Sequence, residues 1–133
     1  AHAGKILLCN DADGKFTLPS IVTTAPSDPT DPNQLNNIGA SFYFYIETAA
    51  TDLDIKTDGT DKSKGAVIVA VDDGSKKAFV PGATNDVMTL NGTTTGGIAG
   101  SVVQVTAIDS ATYLVHNSLL IGSGTIVTPF ADA

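Results

Sequence analysis

Apolar residues along this chain come in short, β-branched runs bounded by turn residues, and they do not recur at the three-and-four spacing of an amphipathic helix. Ser41-Phe42-Tyr43-Phe44-Tyr45-Ile46 puts Phe42, Phe44 and Ile46 on one face and Tyr43 and Tyr45 on the other. Neither face is plainly wet, so this strand is either central or at a subunit interface. Asp52-Leu53-Asp54-Ile55-Lys56-Thr57 alternates more simply, with Leu53 and Ile55 turned to a core and the charges to water.

The same pattern predicts strands near 5–9, 15–18, 21–24, 39–48, 52–57, 66–71, 77–80, 86–90, 101–108, 112–116 and 124–128. Asp13-Gly14, Asp58-Gly59, Asp73-Gly74 and Asn91-Gly92 favour the positive φ angles of tight hairpins and are read as hairpin turns. About ten short strands at this spacing predict an all-β fold, either a jelly-roll-like β-sandwich or a small barrel. The 133 residues suit a single β domain spanning 1–133, large enough to bury about two-thirds of its extended surface without disulfide or metal staples.

Two stretches fall outside the pattern. Residues 25–37 form a proline-rich loop in which Pro26, Pro29 and Pro32 recur every three residues, the repeat of a polyproline II helix. Residues 91–100, with Thr93-Thr94-Thr95-Gly96-Gly97, read as a flexible surface loop. The first five residues read as an extended N-terminal segment.

Composition narrows the function classes. Seven lysines and no arginine face thirteen aspartates and one glutamate, for a formal charge of −7. No basic stripe exists to displace counterions from a phosphate backbone, so nucleic acid is excluded as a partner and an anionic membrane is disfavoured. No apolar run approaches the ~20 residues of a membrane span, and the run 6–9 is too short for a signal-peptide core, as expected of a soluble mature chain.

Candidate chemistry is sparse. Aligning Asp11 and Asp13 to a calcium loop puts Cys9 at its first ligand position and Ser20 at its last, and aligning Asp54 and Asp58 puts Lys56 at a ligand position and Gly65 at the last. Cys9, His2 and His116 are too few for a zinc site, and none sits in a nucleophile motif. The glycines at 96, 97 and 100 lack the Lys and the following helix of a phosphate cradle. A glycosidase-like pair could be hidden among thirteen aspartates, but nothing singles one out. The expectation is a protein that is not an enzyme, with no catalytic residues, no metal and no cofactor.

The order of features resembles a known family. Lys5-Ile6-Leu7-Leu8 leads to Phe16-Thr17-Leu18-Pro19, then Gly39-Ala40-Ser41-Phe42-Tyr43-Phe44, then Leu53-Asp54-Ile55-Lys56 with its Asp-Gly turn. Gly100-Ser101-Val102-Val103-Gln104-Val105-Thr106, Ala111-Thr112-Tyr113-Leu114-Val115 and the tail Gly122-Ser123-Gly124-Thr125 complete the series. In this order of strands and turns the chain resembles the small β-sandwich decoration, or cement, proteins that coat the heads of tailed bacteriophages. The resemblance implies a structural virion protein on the outer surface of the capsid, a homotrimer that binds the major capsid protein and bridges its subunits. On that expectation Ala1, His2, Ala3, Gly4, Lys5, Pro26, Asp28, Pro29, Asp31 and Pro32 are the capsid-binding candidates, because extended segments can reach a neighbour. Tyr43 and Tyr45 are the candidates for the oligomer interface, with packing inside the sheet as the open alternative. A receptor- or carbohydrate-binding module of a phage tail fibre or spike is the alternative function, and a small hydrolase using an aspartate pair is a third.

Overall fold

The computed structural model describes residues 2–23 and 36–133, and among these it contains eleven strands and no helix. In chain order they are β1 (Ile6–Cys9), β2 (Lys15–Thr17), β3 (Ser41–Ile46), β4 (Leu53–Lys56), β5 (Lys62–Gly65), β6 (Val67–Ala70), β7 (Lys76–Phe79), β8 (Val87–Leu90), β9 (Val102–Asp109), β10 (Thr112–Ile121) and β11 (Phe130–Ala131). One sheet has seven strands in the order β1-β3-β9-β10-β6-β7, with β5 also paired to β10, and the other has four in the order β11-β8-β4-β2. The fold is all-β, as the pattern predicts, and consistent with a sandwich. Neither sheet closes, so the barrel alternative is set aside.

Period-two alternation supplies the core. Phe42, Phe44 and Ile46 of β3 and Val103, Val105 and Ala107 of β9 meet Leu53, Ile55, Met88 and Leu90 of the smaller sheet in one buried cluster. Full burial of each large aliphatic or aromatic side chain contributes about 1.5–3 kcal/mol. Phe16 stands edge-on to Phe44, with ring centroids 5.4 Å apart, and ties β2 to β3 across the layers.

The longest strand, β10, serves two parallel neighbours in turn. Thr112–Val115 pair with β5, and Leu120–Ile121 pair with β6. Between them β10 holds one residue more than β9: His116 lies opposite Gln104 and Leu119 opposite Val102. This bulge is taken up at Asn117, whose φ of 46° is the one positive value of a non-glycine residue among the described residues.

Several sequence expectations are corrected. No strand forms at 21–23, because the Ile21 amide donates to the buried Asp61 carboxylate and Val22 exchanges hydrogen bonds with Asn37. Residues 124–128 also stay outside the sheets: Val127 donates to the Thr94 carbonyl, and Lys77 to that of Ile126, which leaves only β11 beyond them. Of the four Gly-containing turns, only Asp73-Gly74 closes a hairpin, β6–β7, while the other three carry the chain from one sheet to the other.

The stretch 91–100 is no loose surface loop either. The Asn91 side chain accepts from the amides of Thr93 and Thr95, and Gly96 and Gly97 are buried. A Cβ on Gly97 would press on Leu90 and Ala50, and one on Gly96 on Leu120.

Candidate interaction surface

The outer face of the seven-stranded sheet collects the side chains that the core alternation leaves over. Its rows follow from the register. Leu8 lies beside Tyr45, Tyr45 opposite Val102, and Val102 opposite Leu119. The next row runs Ile6, Tyr43, Gln104, His116, and the next Ser41, Thr106, Leu114. Ile6, Leu8, Tyr45, Ile68, Ile108 and Leu119 are all exposed and belong to strands of this one sheet. Apart from Asp109 at the end of β9, the outward positions of β1, β3, β9 and β10 carry no carboxylate, in a chain of net charge −7.

A chain of polar contacts crosses the middle of the face. Gln104 donates through its side-chain amide to the Ser41 hydroxyl, Thr106 lies 3.0 Å from the same hydroxyl, and His116 Nε2 is 2.7 Å from Thr106 Oγ1. Asn117, at the bulge, donates to Gln104 Oε1 at 2.7 Å. These groups hold one another in place, so the face is a preorganised surface of tyrosines and aliphatic side chains around a polar line. A shallow depression lined by Gly65, Ile68, Leu114, His116, Asn117 and Ser118 opens beside it.

Tyr43 and Tyr45 therefore stand on this face, Tyr43 half-buried and Tyr45 exposed. His2, Ala3, Gly4 and Lys5 are exposed and lead into β1 at its margin, where the Gly4 amide donates to the Ser41 carbonyl. Ala1, Pro26, Asp28, Pro29, Asp31 and Pro32 lie outside the described residues. Sequence reasoning singled out the tyrosines but not Ile6, Leu8, Gln104, His116, Asn117 and Leu119. Their alternation on β1 and β9 was a readable signal, whereas the frame shift at Asn117 was not.

The titratable groups are engaged in structure. Burial pushes the Cys9 thiol up to about 11, which leaves it protonated and unreactive at neutral pH. Burial pushes the Tyr113 phenol up to about 12. The Ser20 hydroxyl and backbone amides of the 58–61 turn hold the Asp58 carboxyl below the usual carboxylate range. Burial raises that of Asp61. At Asp54 burial works upward, but the Thr89 hydroxyl and Lys15 outweigh it and the carboxyl is lowered. Among the described residues no three His, Cys, Asp or Glu side chains gather as a metal site.

No family model, curated protein or solved structure matches this chain.

Proposed function

We propose that this chain is a structural virion protein, a decoration or cement protein that binds the outside of a tailed-phage head and bridges major capsid subunits. The observation that carries the reading is the broad outer face of the larger sheet, rich in exposed aliphatic side chains and tyrosine with its one carboxylate, Asp109, at the end of β9, a surface of the kind that marks protein–protein contact. The order of strands and turns resembles that family, and an acidic, arginine-free molecule suits the outer surface of a shell, away from the genome. Modest contacts suffice for such a role, because linked sites raise avidity by about two to four decades when geometry lets them engage together.

A specific observation also favours a second reading. Tyr43 and Tyr45 stand beside the polar line of Ser41, Gln104, Thr106, His116 and Asn117, an arrangement able to stack on and hydrogen-bond a sugar ring. On that reading the chain is a receptor- or carbohydrate-binding module of a tail fibre or spike.

Gold labelling of particles from the source, with an antibody raised against this chain, tests both. Regular labelling of heads is the expected result, labelling confined to tail tips moves the case to adhesion, and unlabelled particles overturn both.

A further inference from the structure

The sheet edges are not protected alike: β5, which pairs only with β10, carries Lys62 and Lys64. β7 sets Lys76 and Lys77 on its edge, β2 carries Lys15 in ion pairs with Asp52 and Asp54, and β11 is only two residues long. The β1 edge has none of these devices. Its sequence is Ile-Leu-Leu-Cys, with Ile6 65% and Leu8 61% exposed.

The direction of its free backbone groups is fixed by its pairing. The Tyr43 amide donates to the Lys5 carbonyl and the Glu47 amide to the Cys9 carbonyl, so Lys5 and Cys9 turn their carbonyls, and Leu7 between them its backbone polar groups, toward β3. By the two-residue period, Ile6 and Leu8 turn theirs to the open edge. Among the described residues no other strand pairs with β1. Under its inner side, Leu7, Phe16, Leu18, Phe42 and Phe44 form the apolar part of an open cleft of about 210 Å³ that His2, Lys15 and Thr17 also line.

The two ends of this edge are oppositely charged. Lys5 precedes β1, while Glu47 lies against its far end, with Asp11 just beyond. Neither Lys5 nor Glu47 is in an ion pair among the described residues.

We propose that β1 pairs antiparallel with β1 of a second copy of this chain, about a two-fold axis that passes beside Leu7. Ile6 of each copy then faces Leu8 of the other, and each pair exchanges both N–H···O bonds. The outer faces join into one continuous surface, and Leu7 meets Leu7 at the mouth of the cleft. Lys5 of each copy comes to the end that carries Glu47, so charge favours this orientation. The contact is isologous and closes at two copies, which consumes the open edge and prevents a growing fibre. It stands independently of the decoration reading, and is two-fold where the resemblance implies three-fold.

Sedimentation equilibrium of the full chain over a wide concentration range is the test, with far-UV circular dichroism to show that each variant folds. A reversible monomer–dimer equilibrium is expected. Leu8→Lys should weaken the dimer tenfold or more, because it sets an ammonium group opposite Ile6 at both ends of the contact and breaks both apolar pairs. Lys5→Glu should also weaken it, and Glu47→Lys added to Lys5→Glu should restore it. If Leu8→Lys does not fold, the charge exchange alone decides, since both side chains are exposed. A wild-type chain that stays monomeric or forms trimers overturns the proposal, as does a dimer unaffected by Leu8→Lys and by the charge exchange.

Discussion

The phenol of Tyr113 on β10 donates a 2.6 Å hydrogen bond to the carbonyl of Pro19, 94 positions earlier in the chain. Tyr113 is fully buried, so this bond pins the segment after β2 onto the core at the corner where Ile21 is held by Asp61.

That bond gives the protein an alkaline limit. Burial, with smaller contributions from Asp61 and Asp58, pushes the phenol up to about 12, against about 10 in the unfolded chain. The folded state thus favours the protonated phenol, and this stability is full below pH 10 and declines as pH rises through 12. The whole loss is about 2–3 kcal/mol. Tyr113→Phe should cost about 1–2 kcal/mol at neutral pH, because the Pro19 carbonyl loses its donor. It should also remove this alkaline component. Urea denaturation of both proteins between pH 8 and 12 checks this, and alkaline limbs that run parallel would refute it.

Gly65 joins β5 to β6 with a φ of 103°, and a Cβ there would overlap the Val115 carbonyl oxygen of the paired strand. Gly65→Ala is therefore expected to cost about 3 kcal/mol or more, combining backbone strain with displacement of β10. Gly59, at φ 93°, has open space around its Cβ position, and Gly59→Ala should cost only the strain, about 1–2 kcal/mol. Chemical denaturation of the two variants separates the two contributions, and equal losses would show that the close approach to Val115 is unimportant.

The contrast between these glycines shows what the sequence could disclose. Alternation made the inward faces of 41–46 and 52–57 legible, because Phe44, Ile46, Leu53 and Ile55 each repeat at the strand period and each is buried. Strand β5 was not legible, since Lys62-Ser63-Lys64-Gly65 has no apolar face and owes its extension to pairing with β10. The turns at Asp13-Gly14, Asp58-Gly59 and Asn91-Gly92 were readable as turns. Nothing local tells whether a turn returns within a sheet or crosses to the other: Gly74 in the hairpin and Gly59 and Gly92 in the crossings share a positive φ, while Gly14 crosses without the positive φ its Asp-Gly sequence favours. The tyrosines of the outer face were legible as a pair. Their polar neighbours depended on register across β9 and β10, which only long-range pairing sets.

Asp86 is one of the carboxylates that set the acid limit. Its carboxylate is nearly buried, accepts from Lys62 Nζ at 2.7 Å and from the Ala133 amide at 2.7 Å, and is held below the usual carboxylate range first by Lys62 and then by that amide. A depressed folded value means that the contribution is present above about pH 4 and is lost as pH falls through the folded value. Asp86→Asn should destabilise the protein by about 1–3 kcal/mol at pH 7 and flatten the fall in stability below pH 4. Thermal unfolding between pH 2 and 7 measures both effects. An unchanged acid limb would remove Asp86 from the account.

Tyr45 offers a way to separate binding from folding. Its side chain stands on the outer face at 36% exposure, flanked by Leu8 and Val102 rather than by the core. Tyr45→Ser should therefore lower stability by no more than about 1 kcal/mol. If the outer face engages a protein surface, the same change removes an aromatic anchor and should weaken attachment to particles at least tenfold, a cost typical of a central interface residue. If instead the face holds a sugar, the loss should appear in glycan binding while attachment to purified heads is unchanged. Particle occupancy and glycan binding, measured on one folded variant, thus assign the face to one role or the other. A Tyr45→Ser protein that keeps both activities would exclude this face from either.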